Sequence, residues 1–151
     1  MKRILSVALL VISIPTVADT VESDLVGTWK LVRFENIDGG VSAHPFGQSP
    51  IGYFIYTSDG RVSIHIQDAE VPAEWRSLKV PPDEGQPEPW YVGYFGRYSV
   101  DAEAGTVTHH VEGGTLLAYP GTDQVRPFVL EGDRLLIGVE GEWERELQRV
   151  R

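Results

Sequence analysis

From residue 27 onward, apolar side chains recur at every second position in short runs rich in Val, Ile, Tyr, Phe and Thr, with Gly, Asp and Pro between the runs. This alternation is the signature of half-buried strands, and no long segment carries the spacing of an amphipathic helix. Strands are predicted over about 27–35, 51–57, 61–67, 91–100, 107–113, 125–130, 134–140 and 143–149. Three joints read as tight hairpins: Ser58-Asp59-Gly60, Asp101 to Thr106, and Glu131-Gly132-Asp133. In each, Asp or Gly supplies turn geometry that a β-branched residue adopts only at a cost. Sequential strands joined by hairpins predict an all-β fold, an eight-stranded up-and-down antiparallel barrel whose closure removes exposed edges. A β-sandwich is the competing architecture.

Two stretches interrupt the alternation. Gly39 to Pro50 is a Gly- and Pro-bearing loop containing His44-Pro45-Phe46-Gly47, and Asp68 to Pro89 carries five prolines and several acids. Connections this long act as lids or binding loops, or else are surface insertions. Trp75, Leu78 and Trp90 give the second stretch something to bury.

Pairing register assigns faces, because successive strand residues point to opposite sides. Pairing Val100 with Val107 sets Tyr98 opposite His109 and Gly96 opposite Val111, with Tyr94 further along the same, interior side. Ser99 then faces Thr108, Arg97 faces His110, and Phe95 faces Glu112, forming an outer polar ladder. Val62, Ile64 and Ile66 read as interior against Arg61, Ser63, His65 and Gln67. Arg126 is in phase with Phe128 and Leu130, and Arg145 with Trp143 and Leu147, so two arginines share a side with apolar residues. Over 51–57 both faces are apolar, and Tyr53 and Tyr56 remain alternative interior residues.

The N-terminus has a different character. Lys2 and Arg3 precede an apolar run from Ile4 to Ile14, Pro15 breaks it, and Thr16-Val17-Ala18 resembles a small-residue cleavage site. This predicts a signal peptide over 1–18, a single domain over 19–151, and secretion or a periplasmic location. The apolar run is too short to span a bilayer, so no membrane insertion is expected after cleavage.

Composition narrows the partners. The chain of 151 residues has 13 Lys+Arg against 22 Asp+Glu, a formal net charge of −9, and cleavage would remove two of the cations. Such a surface disfavours nucleic acid and anionic membranes, and leaves docking of a cationic partner on the acidic outer face as a minor possibility. With no cysteine, disulfides, thiolate metal sites and a Cys nucleophile are excluded.

Several motifs, in order, make the chain resemble the lipocalin-like domain family. They are Gly27-Thr28-Trp29, Pro50-Ile51-Gly52-Tyr53-Phe54-Ile55-Tyr56, Tyr94-Phe95-Gly96-Arg97-Tyr98, Val107-Thr108-His109-His110-Val111-Glu112-Gly113, Gly121-Thr122-Asp123-Gln124-Val125-Arg126, and Trp143-Glu144-Arg145. The resemblance implies a barrel closed at one end, with a cavity for a small, mostly apolar molecule. It also implies a structural contact between Trp29 and Arg145 at the closed end. Where the family often has Pro-Asn-Trp, this chain has Leu117-Ala118-Tyr119-Pro120, so one rim of the cavity differs. Some relatives act as cyclases or isomerases.

The candidate ligand-binding residues are Tyr53, Tyr56, Tyr98, His109 and Arg126. Arg126 would receive a ligand carboxylate or enolate, unless it pairs internally with Asp123 or Glu112. Binding of a small hydrophobic or amphipathic molecule is the leading expectation. The alternative is an isomerase or cyclase using His109 as base with Tyr98 or Tyr56, and Arg126 as charge stabiliser. The four histidines have no metal-ligand spacing, and there is neither a nucleophile elbow nor a phosphate-cradling Gly loop. No metal or cofactor is expected.

Overall fold

The alternating runs become antiparallel strands in a computed structural model that describes residues 17–70 and 91–151. Helix α1 (Val17–Leu25) leads into β1 (Gly27–Asp38), β2 (Val41–Ala43), β3 (Ile51–Tyr56), β4 (Arg61–Gln67) and β5 (Tyr91–Asp101). The order continues with β6 (Thr106–Gly114), β7 (Asp123–Glu131), β8 (Arg134–Val139) and β9 (Trp143–Arg149). Apart from β2, each strand pairs with its neighbours in sequence, and β1 pairs with both β3 and β9. That last pairing closes an eight-stranded up-and-down barrel and rules out the sandwich. The short β2 is an addition: it folds back on the far end of β1, pairing Asn36 with Ala43 inside the stretch expected to be only loop.

The two ends of the barrel are built differently. At one end lie the tight β3–β4, β5–β6 and β7–β8 turns, where Gly60, Gly105 and Gly132 have φ of 77°, 64° and 60°. These left-handed conformations are the reason glycine stands in each hairpin. Helix α1 plugs this end. Leu25 and Trp29 are fully buried, and the Trp29 indole N–H donates to the Leu25 carbonyl at 2.9 Å. Above the plug the interior is solid, filled by Leu31, Val107, Leu135 and Leu147. The longer connections, β2 to β3, β4 to β5 and β6 to β7, all start and finish at the opposite end.

The predicted register of the β5–β6 hairpin holds: Val100 pairs with Val107, Tyr98 with His109 and Gly96 with Val111. One pairing does not. A bulge between Phe95 and Gly96 sets Phe95 opposite Gly113 rather than Glu112. The cause is the close approach of strands at Gly96, where a Cβ would lie 2.0 Å from the His110 carbonyl oxygen. Over β3 the face is settled: Phe54 and Tyr56 are buried, while Tyr53 is 42% exposed on the outer wall.

The expected Trp29–Arg145 contact is replaced by another. Trp29 pairs with Arg149 across the β1–β9 seam, and the Arg149 guanidinium carbon lies 4.1 Å from the indole centroid. Arg145 sits further along β9, opposite Phe34, with its guanidinium carbon 3.5 Å from that ring. Both arginines point inward with the same parity, so periodicity alone does not separate them. The leader expectation falls on residues 1–18, of which 1–16 lie outside the described residues, as does most of the 68–89 stretch.

Candidate functional site

Between the solid plug and the end carrying the long connections lies a cavity of about 270 Å³. Its apolar walls come from inward positions of the strands, among them Phe34, Phe54, Ile64 and Ile137. Two connections contribute as well: Phe46 packs edge-on against Phe34 at a centroid distance of 4.9 Å, and Leu116 lies near Tyr119. The volume is just below the roughly 300–1,000 Å³ of most ligand pockets. The polar groups facing it are Tyr94, His109, Tyr119, Arg126 and Arg145.

His109 is fully buried and bonded through both ring nitrogens. The Tyr56 hydroxyl lies 2.9 Å from Nε2, and the Tyr94 hydroxyl 2.8 Å from Nδ1. Burial, with the positive charge of Arg126 and then His110, lowers the imidazole pKa to about 3, so the ring is neutral at physiological pH. Burial likewise raises the pKa values of Tyr56 and Tyr94, which remain protonated. A general base at His109 would therefore have no free ring nitrogen to offer a substrate.

Arg126 and Arg145 both lie against the Trp143 ring, at 5.5 and 5.0 Å from its centroid. Their other partners are uncharged. Arg126 donates to Gln124 Oε1 at 2.9 Å and to the Tyr119 hydroxyl at 3.5 Å, and Arg145 donates to Asn36 Oδ1 at 3.2 Å. The internal partners considered for Arg126 are engaged elsewhere. Asp123 bonds His110 at 2.7 Å, and Glu112 pairs with Arg61 at 2.9 Å. Among the described residues, neither Arg126 nor Arg145 forms a salt bridge. Burial, followed by the charge of Arg126, lowers the Arg145 pKa to about 10.

The candidates from sequence divide as follows. His109 and Arg126 face the cavity, and Tyr56 supports it from below through His109. Tyr53 leaves the site because it faces outward. Tyr98 also leaves: although paired with His109, it turns toward the plug and donates to the Thr57 carbonyl at 3.1 Å, lining a separate hollow beside α1. The residues missed are Tyr94 and Arg145, both already in phase with the interior. The Tyr119 that departs from the family pattern also lines the cavity, packed edge-on against Tyr94 at 5.6 Å.

The remaining histidines do not converge. His65 and His110 lie outside, His65 bonded to Tyr91 at 2.6 Å and His110 to Ser99 at 2.9 Å. Among the described residues no group of His, Asp and Glu is arranged to hold a metal ion.

Comparison with known proteins agrees with this architecture. No curated protein matches the chain. A family model described as a lipocalin-like domain matches residues 26–148, which take in all nine described strands but the last residue of β9. Since that match spans the whole closed barrel, the chain belongs to the lipocalin-like domain family.

Proposed function

We propose that this protein binds a small amphipathic molecule inside the barrel, and that it does so after export. The observation that carries the binding reading is an apolar cavity of about 270 Å³ faced by two arginines that no described carboxylate neutralises. A chain that needed only a solid core would fill this space with side chains, as it does beneath, because unfilled apolar volume is destabilising. Both arginines are half-buried with only neutral partners, so an anionic group in the cavity would answer their charge. Export is supported by the basic, apolar and small-residue order of residues 2–18. Cleavage after Ala18 would remove the first two residues of α1 and keep Leu25 and Trp29.

The binding test uses the neutral fluorophore 1-aminoanthracene with the wild-type protein and Ile137→Phe, which places extra volume in the cavity. Saturable fluorescence enhancement in the wild type, lost in Ile137→Phe, is the expected result. No enhancement, or equal enhancement in both proteins, would overturn the reading. Export is tested by mass spectrometry of the protein recovered outside the cytoplasm, where an N-terminus at Asp19 is expected.

A further inference from the structure

The hydrogen-bond directions around His109 follow from burial together with which of its two tyrosines reaches the cavity. A neutral imidazole has one N–H donor and one bare nitrogen acceptor. Its two neighbours are therefore not equivalent: one tyrosine gives its proton to the ring, and the other accepts the ring's proton. Among the described residues, Tyr56 has His109 Nε2 as the only hydrogen-bond partner of its hydroxyl. If Tyr56 accepted instead, its own O–H would be buried with nothing to bond, a loss that native interiors avoid. So Tyr56 donates to Nε2, Nδ1–H donates to the Tyr94 oxygen, and the Tyr94 proton has to find an acceptor elsewhere. Tyr94 lines the cavity, and Tyr56 does not.

We propose that the relay Tyr56–His109–Tyr94 presents Tyr94 as an obligate donor into the cavity, where with Arg126 and Arg145 it forms a site for the carboxylate of a small amphipathic acid. This deepens the binding reading above and rests on it. The three groups offer protons, and a carboxylate supplies only acceptors. Gln124 and Asn36 orient the two guanidinium groups through neutral amide oxygens, leaving their charge available. An alcohol or amide head would not answer that charge, and a cationic head would be repelled. His109 and Tyr56 are positioning residues in this arrangement, since they reach the ligand only through Tyr94.

The experiment measures binding of octanoate and 1-octanol by calorimetry at pH 7.5, in the wild-type chain and in Arg126→Gln, Tyr94→Phe and Tyr56→Phe. Octanoate is expected to bind about tenfold or more tighter than octanol, the scale of one charge-assisted hydrogen bond. Each substitution should shrink that ratio, whereas general damage to the fold weakens both molecules alike and leaves the ratio unchanged. In parallel, imidazole ¹⁵N shifts should identify His109 as the Nδ1–H tautomer in the wild type. Equal affinity for octanol and octanoate would overturn the carboxylate site while leaving cavity binding intact. Failure of both molecules to bind would overturn both readings. An Nε2–H tautomer, or a ratio unchanged in Tyr56→Phe, would overturn the relay.

Discussion

Arg149 lies over Trp29, its guanidinium carbon 4.1 Å from the indole centroid, and the two residues together fasten helix α1 to the barrel. Arg149 Nη1 donates to the Val26 carbonyl at 2.9 Å, and Nη2 donates to the Asp24 carbonyl. One side chain thus satisfies carbonyls at the C-terminal end of the helix while covering the aromatic ring that anchors it.

Arg149→Ala is expected to destabilise the fold by about 1–3 kcal/mol, through the lost stacking and the carbonyls left unsatisfied. Urea denaturation with an unchanged slope would measure it. A change smaller than about 0.5 kcal/mol, the range of ordinary surface substitutions, would show that the plug is held by other contacts.

Acid should weaken the fold through His109. Burial lowers its folded pKa to about 3 from the ordinary histidine value of 6.5, so the unfolded chain takes up a proton that the folded chain refuses. The contribution is complete above about pH 6.5 and is lost as pH falls toward 3, with a limiting slope of about 1.4 kcal/mol per pH unit. Denaturation at a series of pH values should show this slope in the wild type and a shallower one in His109→Gln. Equal slopes would mean that the imidazole is protonated normally in the fold. Glu146, held low by its bond to Arg134, adds loss of the same sign at the acid end in both proteins.

Gly96→Ala should cost about 1–3 kcal/mol, the scale of overpacking, because the new Cβ would meet the His110 carbonyl oxygen at 2.0 Å. Thermal melting checks this. Gly105→Ala serves as the contrasting case, since open space surrounds it and only its φ of 64° opposes the change. An undisturbed Gly96→Ala melt would mean that the bulge yields freely.

Arg145→Met is expected to leave the melting temperature unchanged or higher, while Arg145→Met and Arg126→Gln both lose preference for octanoate. Burial and the neighbouring Arg126 disfavour the Arg145 charge, and Met keeps most of the stem that packs on Phe34. A fall of more than about 1 kcal/mol would identify Arg145 as a structural residue, as cation–π pairing alone is worth about that much.

The architecture was legible because alternation and turn chemistry agreed. The Val100–Val107 register followed from separating apolar from polar residues, and it correctly turned His109 inward and His110 outward. What periodicity could not supply was depth along the barrel axis. Tyr94 and Tyr98 share a face, as do Arg145 and Arg149, yet one member of each pair lines the cavity and the other serves the plug. Those assignments depend on how far each strand is offset from its neighbour, which a pattern of two cannot encode. The β5 bulge was hidden for a related reason: Gly96 marks it only when the partner backbone is known to press against that position. Tyr53 and Tyr56 could not be told apart, because apolar residues occupy both faces of β3.

Among the described residues, one end of the barrel is stopped and the other is not. With α1, Leu25 and Trp29 stopping the closed end, a guest of the kind proposed would come and go at the other, where the described loops carry Phe46 and Tyr119. Because Phe46 and Tyr119 both stand at that rim and line the cavity, substitutions there should alter a guest's residence time as well as its occupancy.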